Sequence, residues 1–128
     1  MTSVGLTSLI WEDSSLKPYL GGPDMERFLN SRELKTIIAS KKPALVLFSG
    51  PWCIDCRNFQ STWDEWTRDR KGPIHTLVVE RGSPEWSEWS LDEIPTVAAF
   101  DRGNELDRAH GDIGKQDLDR LWKAIMRT

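Results

Sequence analysis

Between Lys41-Lys42-Pro43 and Ser49-Gly50-Pro51 the chain carries an uninterrupted apolar run, Ala44 to Phe48. A run without polar alternation, containing Val46 and Phe48, predicts a strand buried on both faces, as in the interior of a parallel sheet. Past residue 56 the period becomes that of a helix. Phe59, Trp63 and Trp66 recur four and three residues apart, with Asp64, Glu65, Arg68 and Asp69 between them, and Lys71-Gly72-Pro73 ends the pattern.

Elsewhere the pattern alternates between the same two periods. Met25 to Leu29 reads as a short edge strand. Asn30, with Glu33 three residues on, forms a helix cap for Ser31 to Ser40, whose apolar stripe is Leu34, Ile37 and Ile38. Ile74 to Val79 is a third extended segment with Leu77, Val78 and Val79 interior to the sheet; His75 at its start reads as a surface or capping residue. Ser83-Pro84-Glu85 opens a helix to about Leu91, with the Ser83 hydroxyl as its cap. Thr96 to Phe100 and Glu105 to Ala109 are strands joined by a turn at Asp101-Arg102-Gly103-Asn104. A terminal helix from Lys115 places Leu118, Leu121, Trp122 and Ile125 on one face. This order predicts an α/β fold: a central mixed sheet flanked by helices on both faces. Residues 1–24, broken by Ser14, Ser15, Pro18, Gly21, Gly22 and Pro23, read as an N-terminal extension to a domain over 25–128.

The chain has two cysteines, Cys53 and Cys56, and they stand where the buried strand turns into a helix. The first turn of a helix offers unpaired N–H groups and the positive end of the helix dipole, both of which favour a thiolate. Cys53 lies at the helix mouth and is the predicted nucleophile. Cys56, one turn on and less exposed, is the predicted resolving thiol that closes a Cys53–Cys56 disulfide. A structural zinc site needs about four ligands, and two cysteines with two distant histidines, His75 and His110, do not supply them. Two inert buried thiols would leave the strand-to-helix placement and Pro51-Trp52 without a reason.

In the order and spacing of these features the chain resembles the thioredoxin superfamily. The resemblance rests on the strand Leu45 to Phe48, the Trp52-Cys53-Ile54-Asp55-Cys56 motif, Ile94-Pro95-Thr96 before an apolar strand, and Gly111 before a last amphipathic helix. The motif is similar to that of thioredoxin-related proteins with Trp-Cys-Pro-Asp-Cys. The resemblance implies a thioredoxin fold, a cis peptide bond at Pro95 beside the redox pair, and thiol–disulfide oxidoreductase activity. Substrate contacts would fall on Trp52, Ile94, Pro95 and Gly111, with Thr96 supporting the loop. No cofactor is implied beyond the Cys53–Cys56 disulfide. The implied partners are disulfide-containing proteins or small molecules and an external reductase.

Two departures from the family pattern bear on proton transfer. The buried Asp that thioredoxins place six residues before the first cysteine is Leu47 here, and the proline five residues after the second cysteine is Ser61, so that helix is expected without a kink. Asp55 is then the nearby carboxylate, either as a proton shuttle for Cys56 or as a charge at the helix N-terminus that opposes a thiolate on Cys53, offset by Arg57. The departures keep a second reading open: a binding or redox-sensing module whose cysteine pair regulates partner binding with little turnover.

Composition narrows the setting. At 128 residues with a formal charge of −3 and interspersed signs, the chain shows no basic face for nucleic acid or an anionic membrane. No stretch approaches the ~20 apolar residues of a membrane span, and Met1 to Trp11 does not read as a secretory signal. Two cysteines are too few for a secreted disulfide framework, so the expected setting is cytoplasmic and reducing, with the protein a monomer. Of the seven tryptophans, Trp63, Trp66, Trp86, Trp89 and Trp122 read as core and helix-face residues, with a partner-binding patch at Trp86 and Trp89 as the alternative.

Overall fold

The protein is described by a computed structural model covering residues 27–126. The proposed N-terminal extension lies outside the described residues. The elements are β1 (Arg27–Leu29), α1 (Ser31–Ala39), β2 (Ala44–Ser49), α2 (Ile54–Arg68), β3 (Ile74–Val78), α3 (Glu85–Glu88), β4 (Thr96–Asp101), β5 (Asn104–His110) and α4 (Lys115–Met126). The strands form one sheet in the order β1-β3-β2-β4-β5. β3 runs parallel to β1 and β2, while β4 is antiparallel to both β2 and β5. The mixed sheet with helices on both faces is thus the one the periodicity predicts.

β2 is buried along its whole length because it has a strand on each side and helices on each face. Its side chains still alternate. Ala44, Val46 and Phe48 join a core with Leu34 of α1, Leu77, Ala98 and Phe100, against which Trp86 and Trp89 pack. Leu45 and Leu47 join the other core with Phe59, Trp63 and Trp66 of α2 and Leu118, Leu121 and Ile125 of α4. The predicted roles of the tryptophans as core and helix-face residues hold.

Local signals explain where the elements begin and end. The Asn30 side chain accepts from the Glu33 amide at 2.8 Å, and the Asn30 amide donates to the Glu33 carboxylate at 2.9 Å. The β4–β5 turn takes positive φ at both Arg102 (55°) and Gly103 (87°), matching the right-handed twist of the strands it joins. α2 is continuous over 54–68, Ser61 included.

Three expectations need correction. α3 is a single turn, not a helix to Leu91: Ser90 adopts φ 54°, the Leu91 amide bonds back to the Trp86 carbonyl at 2.8 Å, and the Arg108 guanidinium takes the Trp89 and Ser90 carbonyls. Ser83 does not cap this turn through its hydroxyl; its carbonyl accepts from the Trp86 amide instead. His75 is buried, because β3 lies between β1 and β2 and even its polar positions are covered, whereas Val78, expected in the interior, is 37% exposed.

Candidate active site

The site grows out of the C-terminal end of β2. After Ser49 the chain turns through Gly50, Pro51 and Trp52, closed by a hydrogen bond from the Cys53 amide to the Gly50 carbonyl at 3.1 Å. Cys53 is the N-cap of α2, with extended backbone angles (φ −97°, ψ 118°), and its sulfur accepts from the Cys56 amide at 3.2 Å. A thiol here replaces the usual oxygen cap, satisfying one of the orphan donors of the first turn. The Cys53 Sγ also donates to the Ile94 carbonyl at 3.6 Å. Both cysteines are free thiols, Cys53 9% exposed and Cys56 2%.

Burial pushes the Cys56 thiol up to about 11, and the neighbouring Cys53 thiol adds to the rise; the Ser49 hydroxyl and the Gly50 backbone hydrogen-bond Cys56 and pull the other way. The position of the absent carboxylate is filled by Leu47, buried among Leu45, Phe59 and Trp63 in the α2-side core. Cys56 is therefore held as a neutral thiol at neutral pH, with a hydroxyl as its polar neighbour.

Glycine at position 50 is required by close approach. A Cβ there would stand 2.6 Å from the Trp52 indole nitrogen and 2.8 Å from the Val79 carbonyl oxygen, the two atoms joined by a 2.8 Å hydrogen bond. The Trp52 ring is thereby turned toward the segment after β3, 6.3 Å from Trp86 between centroids and with the Arg81 guanidinium 4.9 Å over it.

On the opposite side of Cys53, Ile94 and Pro95 are buried and the peptide bond between them is cis. The Thr96 hydroxyl donates to the Glu93 carbonyl at 2.7 Å and closes the loop. The Gly111 amide donates to the Pro95 carbonyl at 3.3 Å, and Gly111 takes φ 77°, a region that favours glycine. His110 Nδ1 and Glu93 Oε2 lie 2.5 Å apart across the same two segments.

The structure thus brings Trp52, Cys53, Cys56, Ile94, Pro95, Thr96 and Gly111 to one end of the sheet. Asp55 is exposed in the first turn of α2, lining a cleft with Asn58, Thr62 and Gly111, and is not among the groups that act on the Cys56 thiol. Ser49, Arg81 and the Glu93–His110 pair are additions that sequence reasoning missed. Ser49 had a signal, a hydroxyl closing an otherwise apolar strand directly before the motif; the others depend on side chains from separate segments meeting. Among the described residues no group of three or more His, Cys, Asp or Glu is arranged to hold a metal ion.

Comparison with known proteins gives a consistent result. A family model described as thioredoxin matches residues 26–124. The thioredoxin of Griffithsia pacifica is 34% identical over 95 residues, covering 72% of this chain and 87% of the relative. The thioredoxin of Mycoplasmoides gallisepticum is 30% identical over 100 residues, covering 77% of this chain and 100% of the relative. Among solved structures, a mutant thioredoxin from Halobacterium salinarum superposes with a TM-score of 0.68 at 16% identity, covering 84% of this chain and 96% of that one. The J-Trx1 fragment of ERdj5 gives 0.70 at 22% identity, covering 82% and 54%.

The Gly50→Ala variant should lose the Trp52–Val79 hydrogen bond and unfold more easily in urea, by about 1–3 kcal/mol. An unchanged midpoint would show that the indole is not held as described.

Proposed function

The chain belongs to the thioredoxin family, and on that premise we propose that this thiol–disulfide oxidoreductase reduces protein or small-molecule disulfides through the Cys53/Cys56 dithiol. The observation that carries the proposal is the N-cap position of Cys53, whose sulfur accepts from the Cys56 amide at 3.2 Å while a buried, protonated Cys56 stands behind it. That hydrogen bond and the helix dipole remain in place when the Cys53 proton leaves, so both stabilise the attacking thiolate.

Ionised Cys53 attacks one sulfur of the substrate disulfide, forming a mixed disulfide and releasing a thiolate that takes up a proton. Cys56 then loses its proton and attacks Cys53 Sγ, expelling the second substrate thiolate. Two electrons pass from the dithiol to the substrate, and the protein is left with a Cys53–Cys56 disulfide for an external reductase to reduce. The first step also removes the Cys53 thiol as a hydrogen-bond partner of Cys56, one of the causes of its raised pKa. Proton loss from Cys56 thereby becomes easier when it is needed.

Loss of the Cys53 proton frees the Ile94 carbonyl from its S–H donor. An extended substrate chain lying along Ile94, Pro95 and Gly111 donates to that carbonyl, while Thr96 holds the loop and Trp52 bounds the other side. Asp55 acts from the first turn as a fixed charge at the helix N-terminus, and the hydrogen bond to Cys56 comes from Ser49. The setting is cytoplasmic and reducing, the working form a monomer, and no cofactor takes part beyond the cysteine pair.

The test is insulin reduction with dithiothreitol as electron source, comparing wild type with Cys53→Ser and Cys56→Ser. Wild type should turn over, Cys53→Ser should fall to background, and Cys56→Ser should accumulate a covalent mixed disulfide with substrate. Background turnover by wild type would leave the redox-regulated binding module as the better reading.

The resolving step should also be pH-dependent. With Cys56 held above neutrality, its thiolate fraction grows about tenfold per pH unit below that pKa, so release of a preformed mixed disulfide should accelerate from pH 6 to pH 9. Ser49→Ala removes a group that lowers the Cys56 pKa and should slow release roughly two- to tenfold, by the same factor from pH 6 to pH 9 because Cys56 titrates above that range in both proteins. An unchanged release rate over that range would deny Ser49 this role.

A further inference from the structure

The face of the sheet that carries α2 and α4 is covered unevenly. α4 packs on β4, β5 and β2, and α2 crosses the centre, whereas at the other end only Ile74 of β3, and no residue of β1, joins the core beneath these helices. A cleft of about 500 Å³ lies there, within the range of small-molecule sites. Thr76 and Val78 of β3, Phe28 of β1, and Cys56, Arg57 and Gln60 of α2 bound it.

Three features of this cleft call for an occupant. Phe28 is 63% and Val78 37% exposed, so large apolar side chains line a concave surface in water. Thr76, which borders the cleft, is only 5% exposed, and its hydroxyl has no hydrogen-bond partner among the described residues; a buried polar group without a partner is costly unless a ligand supplies one. At the mouth, the exposed Arg57 forms no ion pair among the described residues, leaving a cation on a wall that carries no opposing charge.

We propose that the cleft binds an aromatic carboxylate carrying a hydroxyl at its far end. Its ring lies between Phe28 and Val78, its hydroxyl bonds Thr76, and its carboxylate meets Arg57. Cys56 forms part of the wall while Cys53 faces Ile94 on the other side. An occupant thus lies behind the resolving thiol and leaves the Ile94-Pro95-Gly111 face free.

Titration of the full chain, kept reduced, with 6-hydroxy-2-naphthoate and followed by probe fluorescence and amide NMR tests the proposal. Binding should saturate at one probe per chain, and the shifted amides should include Phe28, Thr76, Val78 and Gln60. Arg57→Gln should weaken 6-hydroxy-2-naphthoate by about threefold or more and leave 2-naphthol, which lacks the carboxylate, unaffected. Thr76→Val, which keeps the side-chain shape, should reduce the affinity to that for 2-naphthoate, which lacks the hydroxyl. Absence of saturable binding, shifts clustered elsewhere, or equal affinity in wild type and Arg57→Gln would overturn the proposal. If Thr76→Val does not fold, the Arg57 comparison alone decides. None of these outcomes touches the reduction of disulfides, which insulin turnover reads separately.

Discussion

The hydrogen bond from the Cys56 amide to the Cys53 sulfur ties the chemistry to the fold. It exists because β2 ends where α2 begins, so the first cysteine becomes the cap of a helix and the second lies one turn inside it. The turn between them tolerates only glycine at position 50, since the Trp52 indole passes directly over that Cα to reach Val79. Burial of β2 on both faces anchors the whole arrangement. A strand with no exposed side cannot shift register without carrying polar groups into one core or the other.

Two thiols of one motif consequently meet opposite surroundings. Cys53 accepts a helix N–H and touches a carbonyl on the neighbouring loop, whereas Cys56 is pressed into the core and kept protonated by that burial. The two thiols are separated by environment, although their side chains are chemically identical. With Leu47 occupying the position of a buried carboxylate, the polar atoms near Cys56 are a serine hydroxyl and backbone groups, weaker proton acceptors than a carboxylate. In the proposed mechanism the second proton of the pair therefore has a less direct way out.

Most of the frame was legible in the sequence because its signals are local. The unalternating run at 44–48, the Asn30–Glu33 capping box and the four-three spacing of Phe59, Trp63 and Trp66 each depend on neighbouring residues. What escaped depends on meetings between distant segments. Pattern alone placed His75 at the surface, but β1 covers β3 and buries it. Val78 looked interior until the cleft beside α2 left it half open. The α3 segment read as a longer helix because Trp86 and Trp89 keep helical spacing; its end is set by Arg108, which arrives from β5 to take the last carbonyls. The same limit applied to the site. Cys53, Cys56 and the Ile94-Pro95-Gly111 segments were legible from motif order, whereas the choice of Ser49 over Asp55 as the partner of Cys56 followed from Ser49 ending β2 beside the buried thiol while Asp55 is exposed in the first turn of α2.

The most direct measurement is the redox equilibrium of the Cys53/Cys56 pair against glutathione, read by thiol trapping. A dithiol that acts as the proposed reductant should have a potential below the cytosolic glutathione poise of roughly −220 to −260 mV. A value far above it, toward the roughly −120 mV of a strong oxidant, would contradict a reductant and make the pair a disulfide donor or sensor.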